Sequence, residues 1–252
     1  MKIKALLLML GLTAGAVQAG LVTGDITLLG FRSDNDDGLS FVTWTNISAG
    51  TSIYFTDSGF FNDGTVRSSE DLLSWTAPVG GIAAGKVVVI TCPAVGASSA
   101  DVGTTAGSLN GLSASGDQIF AGTAAFIKDG DTTKPGSTYA GTLLYGLHFG
   151  GSAWSADATS TSLSALPNAL NSAYLNQAVG NMDNGQYTGS RANMTAAQFK
   201  AAINNISNWT LEDGGATVLN STDFSVIPEP ATISLIAFIG GLSLFVRRRF
   251  VR

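Results

Sequence analysis

Short alternating runs of apolar and polar residues, separated by glycine-rich and aspartate-rich turns, fill the middle of the chain. The runs are rich in β-branched and aromatic residues, which is the pattern of strands that bury one face. The connections between them are brief, so consecutive strands are expected to pair antiparallel. This pattern predicts strands at 25–31, 39–47, 53–56, 72–76, 86–92, 118–122, 124–128, 143–149, 209–212 and 217–226.

About ten short strands in a body of roughly 200 residues predict a single all-β domain, built as a sandwich or a barrel. One helix is expected at 196–204, because Thr195 and Gln198 form a capping box and Phe199 and Ile203 form an i, i+4 apolar stripe. The segment 94–110 is rich in small and polar residues and predicts a long loop.

The N-terminus has the three parts of a secretory leader. Lys2 and Lys4 supply the positive region, an apolar stretch follows, and a small-residue cleavage motif ends at Ala19. The apolar stretch is too short to span a membrane and is followed by polar residues. We therefore predict a signal peptide at 1–19, cut between Ala19 and Gly20.

The C-terminus predicts a membrane-spanning segment. Residues 231–246 carry no charge, and Arg247, Arg248 and Arg249 follow directly. As a helix this run would be about 24 Å long, slightly short of the ~30 Å hydrocarbon core of a bilayer. The arginine cluster would stay on the cytoplasmic side, which leaves the body outside. We predict a transmembrane helix at 231–246.

Pro228, Glu229 and Pro230 stand directly before this apolar run. The order of tripeptide, apolar helix and terminal arginines resembles the PEP-CTERM sorting signal of exopolysaccharide-producing Gram-negative bacteria. The resemblance implies that 228–252 is a sorting signal handled by an exosortase, a membrane transpeptidase that cuts near the tripeptide. It also implies export across the inner membrane, with the helix holding the chain before processing places it at the cell surface or outside. The alternative is a permanent membrane anchor that is preceded by a proline-containing turn by chance.

The body, 20–227, carries a second resemblance. Gly-Leu-Ser-Phe-Val at 38–42, Ile-Ser-Ala-Gly-Thr-Ser-Ile-Tyr-Phe-Thr-Asp at 47–57 and Asn-Trp-Thr at 208–210 look like bacterial relatives of the lamin-tail domain. The resemblance implies an immunoglobulin-like antiparallel β-sandwich with extra hairpins and one inserted helix. These patterns concern strands and loops, so they inform the fold rather than an activity.

The body is acidic once both ends are set aside. The leader holds two of the 13 Lys and Arg residues and the tail four, which leaves seven. Of the 18 Asp and Glu residues only Glu229 lies in the tail, so 17 remain and the net charge is −10. This charge argues against binding to nucleic acid or to anionic lipid, and an acidic polysaccharide would need a bridging cation.

Catalytic and zinc chemistry are poorly supported. His148 is the single histidine, it is expected on the solvent face of its strand, and no Gly-x-Ser-x-Gly elbow occurs. Cys92 is the single cysteine, so no disulfide holds the fold. We expect Cys92 to be a small buried residue, the alternative being a thiol that pairs between molecules. We therefore expect no enzymatic activity.

Calcium is the better inorganic candidate. Asp34, Asp36 and Asp37 cluster hard oxygen donors in the turn between the first two predicted strands, although the spacing is not that of an EF-hand. The alternative is a solvated acidic turn, and Asp129 and Asp131 form a weaker second case.

Sugar recognition would need exposed aromatic side chains. Trp44 and Trp75 lie in or beside apolar runs and are expected in the core, whereas Trp154 lies among small residues and is equally compatible with the surface. A structural or adhesive protein of the cell surface or the exopolysaccharide matrix, including biofilm, is the function that these patterns favour. A carbohydrate-binding or calcium-binding surface module is the alternative.

Overall fold

The computed structural model describes residues 20–67, 70–126, 137–215 and 217–228. Two six-stranded sheets face each other in these ranges. In spatial order, sheet 1 contains β17 (Trp209–Glu212), β15 (Asn184–Tyr187), β1 (Ile26–Arg32), β2 (Asp37–Thr43), β6 (Val87–Cys92) and β7 (Ser99–Ala100). Sheet 2 contains β13 (Asn176–Ala178), β11 (Leu143–His148), β9 (Gln118–Gly122), β3 (Ser52–Thr56), β5 (Leu72–Thr76) and β8 (Thr104–Ser108).

All neighbouring strands of the two sheets are antiparallel except β11 and β13, which are parallel. This arrangement confirms the predicted all-β sandwich. Three small two-stranded sheets accompany it: β4 (Thr65–Val66) with β10 (Ser137–Thr138), β12 (Gly150–Gly151) with β14 (Gly180–Asn181), and β16 (Ala192–Met194) with β18 (Ser225–Val226). The helical elements in the described ranges are α1 (Ala196–Ile203) and two short 3₁₀ turns, Asn168–Leu170 and Ile206–Asn208.

Aromatic side chains join the two sheets across the core. Phe31 of β1 stacks on Phe149 beside β11, with ring centroids 4.2 Å apart. Phe41 of β2 contacts Phe55 of β3 at 5.5 Å and the edge of Trp75 of β5 at 5.3 Å. These rings are fully buried, so burial of large apolar surface between the sheets is the main favourable contribution to folding. The predicted core position of Trp75 is confirmed.

The outer face of sheet 2 is covered as well. Phe60, Phe120 and Leu170 are buried in a second apolar cluster, with Phe120 on β9, Phe60 on the connection between β3 and β4, and Leu170 in the first 3₁₀ turn. Phe60 meets Phe120 edge to face at 4.8 Å. As a result every residue of β9 and β11 is buried, including the polar residues at their ends.

Helix α1 begins and ends close to the predicted positions. Thr195 accepts a hydrogen bond from the Gln198 amide, and the Gln198 side chain accepts one from the Thr195 amide, which confirms the capping box. Phe199 and Ile203 are buried as expected. Phe199 stacks on half-buried Trp44 at 5.9 Å and meets Phe224 edge to face at 4.8 Å, so the helix closes one margin of the core.

Several sequence predictions are wrong in their detail. Only Ser225–Val226 of the predicted strand 217–226 pairs as a strand, because this segment, which we call the strap, crosses the outer face of sheet 1. Leu219 of the strap lies so close to Gly30 that a Cβ atom there would be 2.9 Å from its Cδ2. The predicted loop 94–110 contains β7 and β8, since an exposed edge strand needs backbone partners rather than apolar side chains.

The predicted strand 124–128 is only partly described, and 124–126 is not a strand. The predicted leader at 1–19, Asp129 and Asp131, and the predicted membrane helix at 231–246 lie outside the described residues. Within the described ranges no helix is long and apolar enough to cross a bilayer.

Candidate functional site

A polar groove runs along β13, the edge strand of sheet 2. It consists of two adjoining cavities of about 500 Å³ and 360 Å³, which share Asn176 of β13 and Asn204 at the end of α1. The larger cavity is further lined by 152–154, Gln177, Ala178, Asn205 and Ile206, and the smaller one by Leu166 and 171–174. We call this surface the amide groove, because asparagine and glutamine side chains recur along it.

Trp154 forms part of the wall of the larger cavity and is half-buried. Its indole Nε1 donates a hydrogen bond to Asn176 Oδ1 at 3.1 Å, and Asn176 Nδ2 donates to the Leu170 carbonyl at 2.7 Å. The ring also stacks on buried His148, with centroids 5.2 Å apart. These contacts fix the indole in one orientation beside the cavity.

Tyr174 lines the smaller cavity and is 41 % exposed. Its φ of 68° places the backbone in the left-handed region, which costs a residue with a side chain about 1–2 kcal/mol. Neighbouring backbone hydrogen bonds hold the turn, since Leu175 N donates to the Ser172 carbonyl and Ser172 N donates to the Leu170 carbonyl. Strain of this kind at an exposed aromatic residue is typical of functional positions.

Asn204 stands where the two cavities meet. Its side-chain Oδ1 is buried and has no hydrogen-bond partner among the described residues. A buried acceptor without a partner costs about 1–3 kcal/mol, so this amide is held in the wall of the groove at an energetic cost. None of the described residues that line either cavity is charged, so recognition here would depend on amides, hydroxyls and aromatic rings.

A second polar cluster lies at the end of the sandwich where β1 leads into β2. Asp117 at the start of β9 and Asp37 at the start of β2 are buried, and each accepts a hydrogen bond from a loop amide, Ser113 N and Leu112 N respectively, at 3.0 Å. Asp57 Oδ1 accepts one from the Asp71 amide at 2.7 Å. Asp37 and Asp117 thus hold the loop ahead of β9, and Asp57 holds the residue directly before β5.

Burial perturbs the acidity of this cluster. Burial, reinforced by the nearby Asp57, raises the pKa of Asp117 to about 8. Burial, again with Asp57, raises the pKa of Glu70 to about 9, against the opposing effect of Arg67. Burial raises the pKa of Asp37 to about 6. The cluster therefore holds protons at neutral pH that its carboxyls would lose in water.

The calcium candidates do not share one location. Asp37 faces inward, Asp36 is exposed, and Asp34 is half-buried near Asp183. Desolvation, together with the charges of Asp34 and Asp213, raises the pKa of Asp183. In the described ranges no group of three or more His, Cys, Asp or Glu side chains is arranged to hold a metal ion. Calcium binding through Asp34, Asp36 and Asp37 stays a prediction.

His148 is 1 % exposed, so its predicted place on the solvent face is wrong. Trp154 and the loop around it cover that face of β11, and burial lowers the pKa of His148. A histidine kept neutral under an indole is poorly placed to take a proton from a bound substrate. Cys92 is fully buried, as predicted.

Most of the predicted sorting residues lie outside the described residues: Ala19, Glu229, Pro230, Arg247, Arg248 and Arg249. Gly20 and Pro228 are described, and both are exposed. Trp154 is the one groove residue that the sequence singled out. Tyr174, Asn176 and Asn204 were missed, because amides and a lone tyrosine in turns have no periodic pattern that marks them.

The comparisons with known proteins add no relative to this description. The chain matches no protein-family model, and no curated protein or solved structure is significantly similar to it. The fold and the amide groove are therefore the structural basis for the proposals that follow.

Proposed function

We propose that this chain is an exported structural or adhesive protein of the cell surface or the extracellular polysaccharide matrix, sorted by an exosortase and without enzymatic activity. The observation that carries the proposal is the position of the Pro228-Glu229-Pro230 tripeptide. Strand β18, the last strand that the structure describes, ends at Val226, and Pro228 is exposed two residues later. A membrane transpeptidase would need its recognition sequence outside the folded body, directly before the apolar run 231–246.

We further propose that the sandwich is immunoglobulin-like and of the lamin-tail type. The order β1-β2-β6 in one sheet and β5-β3-β9-β11 in the other supports it, because the chain alternates between sheets as in a Greek key. In immunoglobulin terms β2 would be strand B, β6 strand E, β3 strand C and β9 strand F. Strand β1 would be strand A, and β15 and β17 would be additional strands beside it.

The hydrogen bonds of the buried polar side chains agree with a structural role. The carboxyls of Asp37, Asp57 and Asp117 accept hydrogen bonds from backbone amides and so hold loops in place. The chain places its single histidine under Trp154. These arrangements favour a rigid structural domain over a reaction centre.

The intact mass of the protein, isolated from a Gram-negative host that carries an exosortase, tests this proposal. We expect a chain that begins at Gly20 and lacks most of 228–252. Deletion of 228–230 should leave the tail in place, while Ile227→Val, a change at an exposed position, should be processed normally. A chain that begins at Gly20 but keeps Arg252 in the unaltered protein would instead indicate a permanent anchor. Full-length protein in the cytosol would refute the proposal.

A further inference from the structure

We propose that the amide groove binds a neutral polysaccharide, with Tyr174 and Trp154 as the two aromatic contacts. The inference deepens the adhesive role proposed above and rests on it for its biological meaning. Its physical basis is separate, since it depends only on side chains of the described body.

The composition of the groove selects the chemical class of the ligand. Asn176 and Asn204 lie at its centre. Beyond its bonds to Trp154 and the Leu170 carbonyl, the Asn176 amide keeps one lone pair and one N–H for a hydroxyl group, and the Nδ2 group of Asn204 can donate to another. Further amide and hydroxyl side chains extend this lining in both directions along the groove: Asn171, Ser172, Ser152, Gln177 and Asn205. A ligand with many hydroxyl groups is the natural complement to such a surface.

The two aromatic residues lie on either side of the shared asparagines. Tyr174 lines one cavity and Trp154 the other, so an extended ligand could contact both rings in turn. Aromatic side chains combine an apolar face with a polar edge, which matches a sugar ring that has apolar C–H faces and a hydroxylated rim. The site is also preorganised. Asn176 fixes the orientation of the Trp154 indole, and the backbone of Tyr174 is held in the left-handed region.

Charge decides between neutral and acidic polysaccharides. The described part of the chain contributes no lysine or arginine to the lining of either cavity, so carboxylate or sulfate groups on a ligand would find no counter-charge among these lining residues. The body as a whole has a formal net charge of −10 from 17 acidic and seven basic residues at 20–227, and it stays strongly negative when Glu70 and Asp117 hold protons. This field would repel an acidic chain and would leave the binding of a neutral one unaffected.

Affinity electrophoresis of the full chain in mild detergent tests the inference. Native gels would contain a neutral polysaccharide, namely dextran, laminarin or xyloglucan, or an acidic one, namely alginate or polygalacturonate. We expect at least one neutral polysaccharide to retard the protein and both acidic ones to leave its mobility unchanged. Tyr174→Gly should weaken the retardation about tenfold or more, as is typical when a central aromatic contact is removed.

The variants separate binding from folding. Tyr174→Gly removes the ring but also relieves the left-handed backbone, so it should not lower the melting temperature. Asn193→Gly is the matched control, because Asn193 is exposed, has a φ of 64° and does not line the groove. Asn204→Ala should weaken binding as well.

Three results would overturn the inference: retardation by none of the neutral polysaccharides, retardation by the acidic ones alone, or retardation that Tyr174→Gly and Asn204→Ala leave unchanged. None of these results depends on how the ends of the chain are processed. Failure of the groove and failure of the sorting proposal are therefore distinguishable.

Discussion

The guanidinium Nη1 of Arg67 lies 2.6 Å from Oε1 of Glu70, and the two side chains are only 11 % and 9 % exposed. Burial opposes ionisation of Glu70, and the nearby carboxyls of Asp57 and Asp117 add to this effect. With a pKa raised to about 9, the Glu70 carboxyl is mainly protonated at neutral pH. The contact is then a hydrogen bond from a cation to a neutral carboxyl rather than a full ion pair.

Replacing Glu70 with glutamine should therefore be tolerated. A neutral amide has nearly the same shape as a protonated carboxyl and still offers Arg67 an oxygen, so we expect the free energy of unfolding at pH 7 to change by less than about 1 kcal/mol. Glu70→Ala removes that acceptor and leaves Arg67 unpaired, so it should cost roughly 3 kcal/mol. Urea denaturation of both variants measures the difference. Equal losses in the two would mean that Glu70 is ionised and its charge is needed.

The stability of the protein should fall as the pH rises from about 5 to 9. The folded state holds protons on Asp37, Asp117 and Glu70 up to pKa values of about 6, 8 and 9, whereas the ordinary values of these groups are 3.8, 3.8 and 4.5. The folded state thus binds more protons than the unfolded state within this window, so raising the pH favours unfolding. Each such group contributes about 1.4 kcal/mol per pH unit until its folded pKa is passed.

Urea denaturation at pH 5, 7 and 9 checks this slope. All three groups contribute below pH 6, two contribute up to pH 8, and Glu70 alone contributes near pH 9, so the curve should flatten in steps. Asp117→Asn should remove the middle step, and Glu70→Gln should remove the last. A protein that becomes more stable towards pH 9 would contradict the raised pKa values.

Gly85 should tolerate no side chain. Its φ is +87°, and a Cβ atom would lie 2.3 Å from the Phe224 carbonyl oxygen of the strap. Gly80 has a similar φ of +96° but nothing within 4 Å, which makes it the matched control. Gly80→Ala should cost about 1 kcal/mol from backbone strain. Gly85→Ala should cost a further ~1–3 kcal/mol, because the strap must shift.

Thermal unfolding of the two glycine variants gives the comparison. Phe224 N donates to the Gly85 carbonyl at 2.8 Å, so a displaced strap would also lose this hydrogen bond. Limited proteolysis should then cut Gly85→Ala, but not Gly80→Ala, within 217–226. Equal melting temperatures for Gly85→Ala and Gly80→Ala would show that the strap does not pack tightly against Gly85.

Cys92 should be inert in the folded protein. The residue is fully buried at the end of β6, and burial raises the pKa of its thiol, so little reactive thiolate forms. A maleimide reagent should label it stoichiometrically in denaturant and at least about a hundredfold more slowly without denaturant. A disulfide-linked dimer on a non-reducing gel would favour the alternative, a thiol that pairs between molecules.

Much of the fold was predictable from local pattern. The predicted strands 72–76, 118–122 and 209–212 have the bounds of β5, β9 and β17, because alternation and turn residues act within a few positions. The Thr195–Gln198 capping box was equally readable, since both hydrogen bonds join residues three apart. The net charge, the single histidine and the single cysteine also follow directly from the sequence.

Tertiary structure decided which polar residues are inside. Alternation places His148 on the face of β11 away from the core, and only the packing of Trp154 over that face buries it. The amide groove depends on the same kind of long-range packing, because Trp154, Tyr174 and Asn204 come from three separate connections. Local sequence records the preferences of one segment, whereas the covering of a sheet face depends on where distant segments cross it.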